Sequence, residues 1–235
     1  MEGVKFFLKR FITKPSGLIG ISIVAILIFS ALMAEVISPY SPTKMGAGKR
    51  FSKPSRNYVL GTDEFGRDML SRILHGSRLT LMIGATAVGI SLSTGMFIGL
   101  IAAYRKGILE QILMRGTDVL FSFTETLIAL SCVAVLGPSL ENAVIAVGIA
   151  GIPYYARICY SAALVESSKP YFEACIACGA GHFRLIVYHL LPNVLPTMIV
   201  VSTLGVSTAI LAAAGLSFLG LGAQPPLPEW GYMLA

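Results

Sequence analysis

Three stretches of this sequence carry no Asp, Glu, Lys or Arg at all: Pro15–Ala34, Leu79–Tyr104 and Leu190–Pro228. A helix needs about 20 apolar residues to cross roughly 30 Å of hydrocarbon, and inside lipid a backbone must satisfy its own hydrogen bonds. The first two runs each fit one crossing. The third is too long for one and reads as a span ending near Ala214 plus an exit segment. Two further spans are less clean: Val119–Gly137 contains Glu125, and Asn142–Leu164 contains Arg157. The expectation is an all-α integral membrane protein, a multi-span helical bundle with five spans at about 15–36, 79–103, 118–137, 142–164 and 192–214. A tail (1–14), an outer loop (38–78) and a loop at 165–189 complete the map.

Composition agrees. Hydrophobic residues make up 55% of the chain and charged ones 13%, with a mean hydropathy of +0.76. Soluble domains carry about a quarter charged residues, so the main solvent here is lipid. The formal charge of +6 does not point to nucleic acid, because the basic residues lie between apolar runs, as in membrane-protein loops. Pro15–Ala34 is too long for a signal-peptide core and lacks a small-residue cleavage site after it. Placing the N-terminus inside puts Lys5, Lys9, Arg10 and Lys14 on the cytoplasmic side, as the positive-inside tendency favours. The outer loop, with eight basic residues of its own, does not follow that tendency.

That outer loop contains LGTDEFGRDMLSRILHGSR, Leu60–Arg78. Asp63, Glu64 and Asp68 lack the alternating spacing and closing Glu of a calcium loop. Arg67, Arg72 and Arg78 are close enough to neutralise them, so the stretch reads as a charge-compensated turn leading into an amphipathic helix. Gly46–Arg50 is not a phosphate loop, since the upstream Gly is missing and Arg50 stands where a magnesium-binding hydroxyl belongs. Cys175 and Cys178 have redox or zinc spacing, but His182 and His189 follow too closely for a finger-like site. Their reading is small apolar packing, and neither a metal nor a catalytic site is assigned.

The loop at 165–189 is built rather than passive. Pro170 suits the first turn of a helix, where a missing N–H costs nothing. Glu173 falls in that turn, where the helix dipole favours an anion. Gly179 and Gly181 can take the positive φ that ends a helix. The result is a helix of about nine residues, Pro170–Cys178, then a second amphipathic piece until Pro192 opens the last span. From the residues alone it is either a docking surface or a structural interfacial helix.

Glu173-Ala174-Cys175, then Gly179 and Leu191-Pro192, resembles the EAA loop of permease subunits in bacterial ABC importers. That pattern is Glu-Ala-Ala, three residues, Gly, nine residues, Ile, one residue, Leu-Pro. This chain departs from it at Cys175, which keeps a small side chain, and at His189. Gly61-Thr62-Asp63, Gly66-Arg67-Asp68 and Ser71-Arg72 resemble the segment before the second span in the second permease of dipeptide, oligopeptide, glutathione and nickel importers. Gly215–Pro226 and Glu229-Trp230-Gly231 resemble the stretch after its fifth span.

The resemblance implies half of a translocation pathway in a bacterial inner membrane. The implied partners are a sister permease, two ATPase subunits, an extracytoplasmic substrate-binding protein and lipid, and no nucleic acid. Pro170, Glu173, Ala174, Cys175, Gly179 and Gly181 would dock the ATPase. Gly61, Asp63, Gly66, Arg67, Asp68 and Arg72 form the outer-loop signature. No cofactor is implied in this chain, since ATP and magnesium would sit on the ATPase subunits, and no catalysis. A sixth span is expected beyond Ala235. Peptides are the expected solute, with nickel as the alternative. A proton-coupled carrier using Glu125 is the more distant one. An intramembrane enzyme lacks its paired groups. An acid within a span is costly and has a partner or water. For Glu125 the favoured reading is an interfacial carboxylate near a helix that Asp118 begins, with a place along the pathway next.

Overall fold

The computed structural model describes residues 15–234. The basic tail 1–14, on which the inside N-terminus leaned, and Ala235 lie outside them. The described residues are helical apart from loops, with an isolated bridge between Thr62 and Asp68. The helices are α1 Pro15–Leu32, α2 Ala34–Ile37, α3 Met69–Tyr104, α4 Ile108–Phe121, α5 Glu125–Leu136, α6 Leu140–Ser167 and α7 Pro170–Ala177. A last long helix, α8, runs His182–Phe218, and a 3-10 turn follows at Tyr232–Leu234.

Among the described residues three helices are long and apolar enough to cross a membrane, α3, α6 and α8, and a fourth crossing results if α4 and α5 count as one. The apolar α1 is shorter. Its Ile19, Ile26, Phe29 and Leu32 are exposed, the outward apolar surface that lipid contact requires. The expected span 118–137 is not one helix. It breaks at Ser122–Thr124, and α4 and α5 meet at a bend of 91°. Asp118 therefore lies in the last turn of α4 rather than beginning a helix, and its carboxylate pairs with Arg157 of α6.

The chain forms two compact units. Of the described residues, one unit comprises 15–80 with Pro225–Trp230. Its loop 38–78 folds back on itself through Gly61 (φ +80°) and Gly66 (φ +71°). A Cβ at Gly61 would collide with the Ser52 carbonyl, and one at Gly66 with that of Gly48. Trp230 Nε1 donates to the Ile73 carbonyl at 3.1 Å, which places the Glu229-Trp230 signature against the first turns of α3. Gly76 admits this contact, since a Cβ there would stand 2.6 Å from the Pro228 carbonyl oxygen.

The other unit comprises Leu81–Gln224 and the residues from Gly231 onward. Here α6 is the central post, packed by α4, α5 and α8. Its buried residues are mostly small: Ala143, Ala146, Gly148, Ala150, Gly151, Ala156, Cys159 and Ala163. Between helices in lipid there is little hydrophobic driving force, so close backbone packing carries the association. The crossing with α3 shows it. A Cβ at Gly95 would lie 2.6 Å from Tyr155 Cβ, and one at Gly99 2.6 Å from the Ala156 carbonyl oxygen. Ser91 Oγ, on the same stretch of α3, donates to the Gly148 carbonyl at 2.6 Å.

Candidate coupling surface and pathway residues

The helix α7 is closed at both ends by backbone chemistry. Lys169 is its extended N-cap and Pro170 occupies its first turn, with Glu173 in that turn. At the other end Gly179 has φ +79°. Its N–H bonds the Ile176 carbonyl at 2.9 Å, and the Ala180 N–H reaches back to Cys175 at 3.1 Å. This is a Schellman stop, which needs a left-handed residue at that position. Gly181 does not share that role. It sits at φ −67° as the N-cap of the next helix, so only one of the two glycines turns the chain.

Three groups hold α7 in place. Phe172 is buried at 3% exposure. Tyr171 donates its phenolic O–H to Glu166 at 2.6 Å, and Lys169 Nζ meets the other oxygen of Glu166 at 2.5 Å. Asn193 of α8 donates to the Tyr171 oxygen at 3.3 Å. Partial burial and the Glu166 carboxylate push the Tyr171 phenol up to about 12, so it stays a donor through the physiological range. What remains outward is a face of Glu173, Ala174, Ile176, Cys178 and Gly179, with Cys175 half-buried. Sequence reasoning passed over Glu166, Tyr171 and Asn193. No motif marks them, and Glu166 reads as an ordinary charge at the end of a span.

The last span does not open at Pro192. The helix begins at His182, and Leu185–Leu190 adopt π-helical geometry before Pro192. Proline lacks the N–H that would reach the carbonyl four residues back and crowds that carbonyl. A wider turn absorbs the misfit. Asn193 Nδ2 donates to the His189 carbonyl at 2.7 Å, which keeps that oxygen paired within the widened stretch.

In the loop 38–78, Asp63 accepts from the Phe65 N–H at 2.9 Å, the Arg67 N–H at 2.8 Å and Arg67 Nε at 2.6 Å. Arg72 Nε lies 3.6 Å from the same carboxylate. Burial pulls the Asp63 carboxyl upward, but the hydrogen bonds from Arg67 and Phe65 outweigh it and hold it below the usual carboxylate range. Asp68, fully buried, accepts from the Ser71 N–H at 2.9 Å and Ser71 Oγ at 2.6 Å. Gly61, Asp63, Gly66, Arg67, Asp68 and Arg72 thus form one self-neutralising knot, and Glu64 stands outside it, exposed.

Glu125 is the first residue of α5, just past the 91° bend. Asp118 is not the start of its helix, and Glu125 is exposed at the helix start instead. Glu125 borders a cavity of about 230 Å³ between α3, α6 and α8, whose polar wall includes Ser91, Tyr154, Tyr155 and Thr208. Among the described residues no hydrogen bond or ion pair holds the Glu125 carboxylate.

Residues 95–235 match the family described as binding-protein-dependent transport system inner membrane component. Residues 5–54 match the N-terminal TM domain of oligopeptide transport permease C. The chain is 41% identical to the di/tripeptide transport system permease protein DppC of Pseudomonas aeruginosa, over 99% of this chain and 78% of that protein. It is 38% identical to the glutathione transport system permease protein GsiD of Pectobacterium atrosepticum, over 97% of this chain and 75% of that protein. In fold it is similar to the inward-facing MetNI methionine ABC transporter. The TM-score is 0.59 at 19% identity, covering 66% of this chain and 77% of that one.

Proposed function

This chain belongs to the binding-protein-dependent transport system inner membrane components, a family of multi-pass permeases, and on that premise we propose that it is the second permease of a peptide importer. The relatives named for di/tripeptide and glutathione transport support a peptide-class solute, and their names give nickel no support. The N-terminus lies in the cytoplasm, residues 165–189 face the ATPase, and the outer knot around Asp63 faces the substrate-binding protein. ATP binding and hydrolysis belong to the ATPase subunits. This chain contributes a path and a lever.

One observation carries the lever. The helix α7 is capped at both ends and fastened from beneath by Phe172 and the Tyr171–Glu166 bond, while Glu173, Ala174, Ile176 and Cys178 stay open to a partner. A passive linker has no need of a Schellman stop, a Pro start and a buried anchor within eleven residues. Coexpression tests it: the ATPase copurifies with this chain and its sister permease, and is lost when residues 170–181 are replaced by a Gly-Ser stretch. Retention of the ATPase would make the segment an interfacial loop. Uptake driven by a proton gradient without ATP would instead return the carrier reading.

A further inference from the structure

We propose that the cavity bordered by Glu125 is a transient site for the ammonium group of the solute as it crosses this subunit. The inference rests on the importer reading, and it adds a recognition site within the span. A carboxylate in a span is costly and has a partner or water. Glu125, exposed at the first residue of α5 beside the cavity, has neither an ion pair nor a hydrogen bond among the described residues. The phenol of Tyr155, 3% exposed, lines the same cavity, and its oxygen has no hydrogen-bond partner. A buried hydroxyl left unpaired costs free energy, and this one belongs to a side chain that lines the cavity and lies against Gly205.

The glycines keep that space open. A Cβ at Gly205 would overlap the Tyr155 hydroxyl, and one at Gly151 would lie 2.6 Å from Ser91 Oγ and 3.9 Å from a Glu125 oxygen. The Tyr154 ring meets that of Tyr155 edge-on, with centroids 5.5 Å apart. One anion, one unpaired phenol oxygen and aromatic surface suit an ammonium ion, which has three N–H donors and is attracted to aromatic rings. They do not suit a hard divalent cation, which takes six or more oxygens. Among the described residues no group of three or more His, Cys, Asp or Glu could hold a metal. A free amino terminus is the ammonium that a peptide without basic side chains offers.

The test uses the purified whole importer without its binding protein, so that selection by that protein does not enter. Thermal unfolding is followed with a neutral-side-chain dipeptide and with the same dipeptide N-acetylated. The free dipeptide is expected to stabilise the wild-type complex and the acetylated one not to. Glu125→Gln should weaken the half-saturating concentration by about tenfold, the loss of one charge-assisted hydrogen bond, and Tyr155→Phe by less. Glu125→Asp should recover part of the loss. Equal shifts from both peptides, an unchanged response in Glu125→Gln, or no shift in the wild type would overturn the site. Failure of the wild-type importer, supplied with its binding protein, to take up any peptide would instead overturn the importer reading.

Discussion

Tyr171 in the first turn of α7 donates to Glu166 in the last turn of α6 at 2.6 Å, so the short helix is tied to the long one. Asn193 of α8 joins at 3.3 Å, linking both to the next span. Removing the Tyr171 hydroxyl should cost about 1 kcal/mol, the net worth of an ordinary hydrogen bond. That is too little to unfold the chain and enough to loosen the link. Tyr171→Phe is expected to assemble with the ATPase normally while transporting less solute per ATP hydrolysed. Reconstituted complexes assayed for both quantities give the ratio. An unchanged ratio would mean that the contact only holds α7 in shape.

The knot around Asp63 predicts an acid-sensitive loop. Asp63 has its carboxyl held below the usual range in the fold, so its stabilising effect is fully present above the unfolded value of about 4 and is lost as pH falls through the lower folded value. Limited proteolysis of the loop from the outside should therefore accelerate below about pH 4. In Asp63→Asn the loop should be cut faster already at neutral pH, with a flatter acid profile. A wild-type profile that does not change with acid would remove Asp63 from the account.

Close packing of α3 on α6 makes a comparison among glycines. Gly99→Ala puts a Cβ 2.6 Å from a backbone carbonyl, whereas Gly89→Ala meets nothing within 4 Å. The first should destabilise by about 1–3 kcal/mol, as overpacking does. The second should be neutral or slightly stabilising, since Ala is the better helix former. Thermal unfolding in detergent ranks them, and equal melting temperatures would contradict the crossing.

Much of this architecture could be read from the residues, and the failures have physical causes. The charge-free runs located α3 and α8, and Pro170 and Gly179 marked the ends of α7 because their backbone chemistry is local. The break at Ser122–Thr124 was invisible because no Pro or Gly stands there, and hydropathy averages across a bend. Pro192 misled in the opposite direction. It reads as a helix start, but a π-helical stretch before it lets the helix pass through. Glu166 and Tyr155 matter through partners, or the lack of one, that only the fold brings near them.

Sidedness follows from the proposed coupling role. A Cys introduced at Lys49 should react with a membrane-impermeant thiol reagent in intact cells, while Cys178, which is exposed, and Cys175 react only after permeabilisation. The opposite pattern would invert the topology and remove α7 from the ATPase.

The coupling role itself is tested most directly at Gly179. Its φ is +79°, and a Cβ added there would meet nothing within 4 Å. A side chain at this position therefore costs only backbone strain, roughly 1–2 kcal/mol for an L-residue, and projects outward. Gly179→Val should insert and pair with the sister permease, yet lose solute uptake and solute-stimulated ATP hydrolysis together, and Glu173→Lys should do so more weakly. The decisive measurement is stimulated ATP hydrolysis by the reconstituted Gly179→Val importer, normalised to assembled complex. Loss of stimulation at normal assembly is the result expected. Wild-type stimulation with normal uptake would contradict the assignment of residues 170–181 as the contact through which this permease and its ATPase communicate.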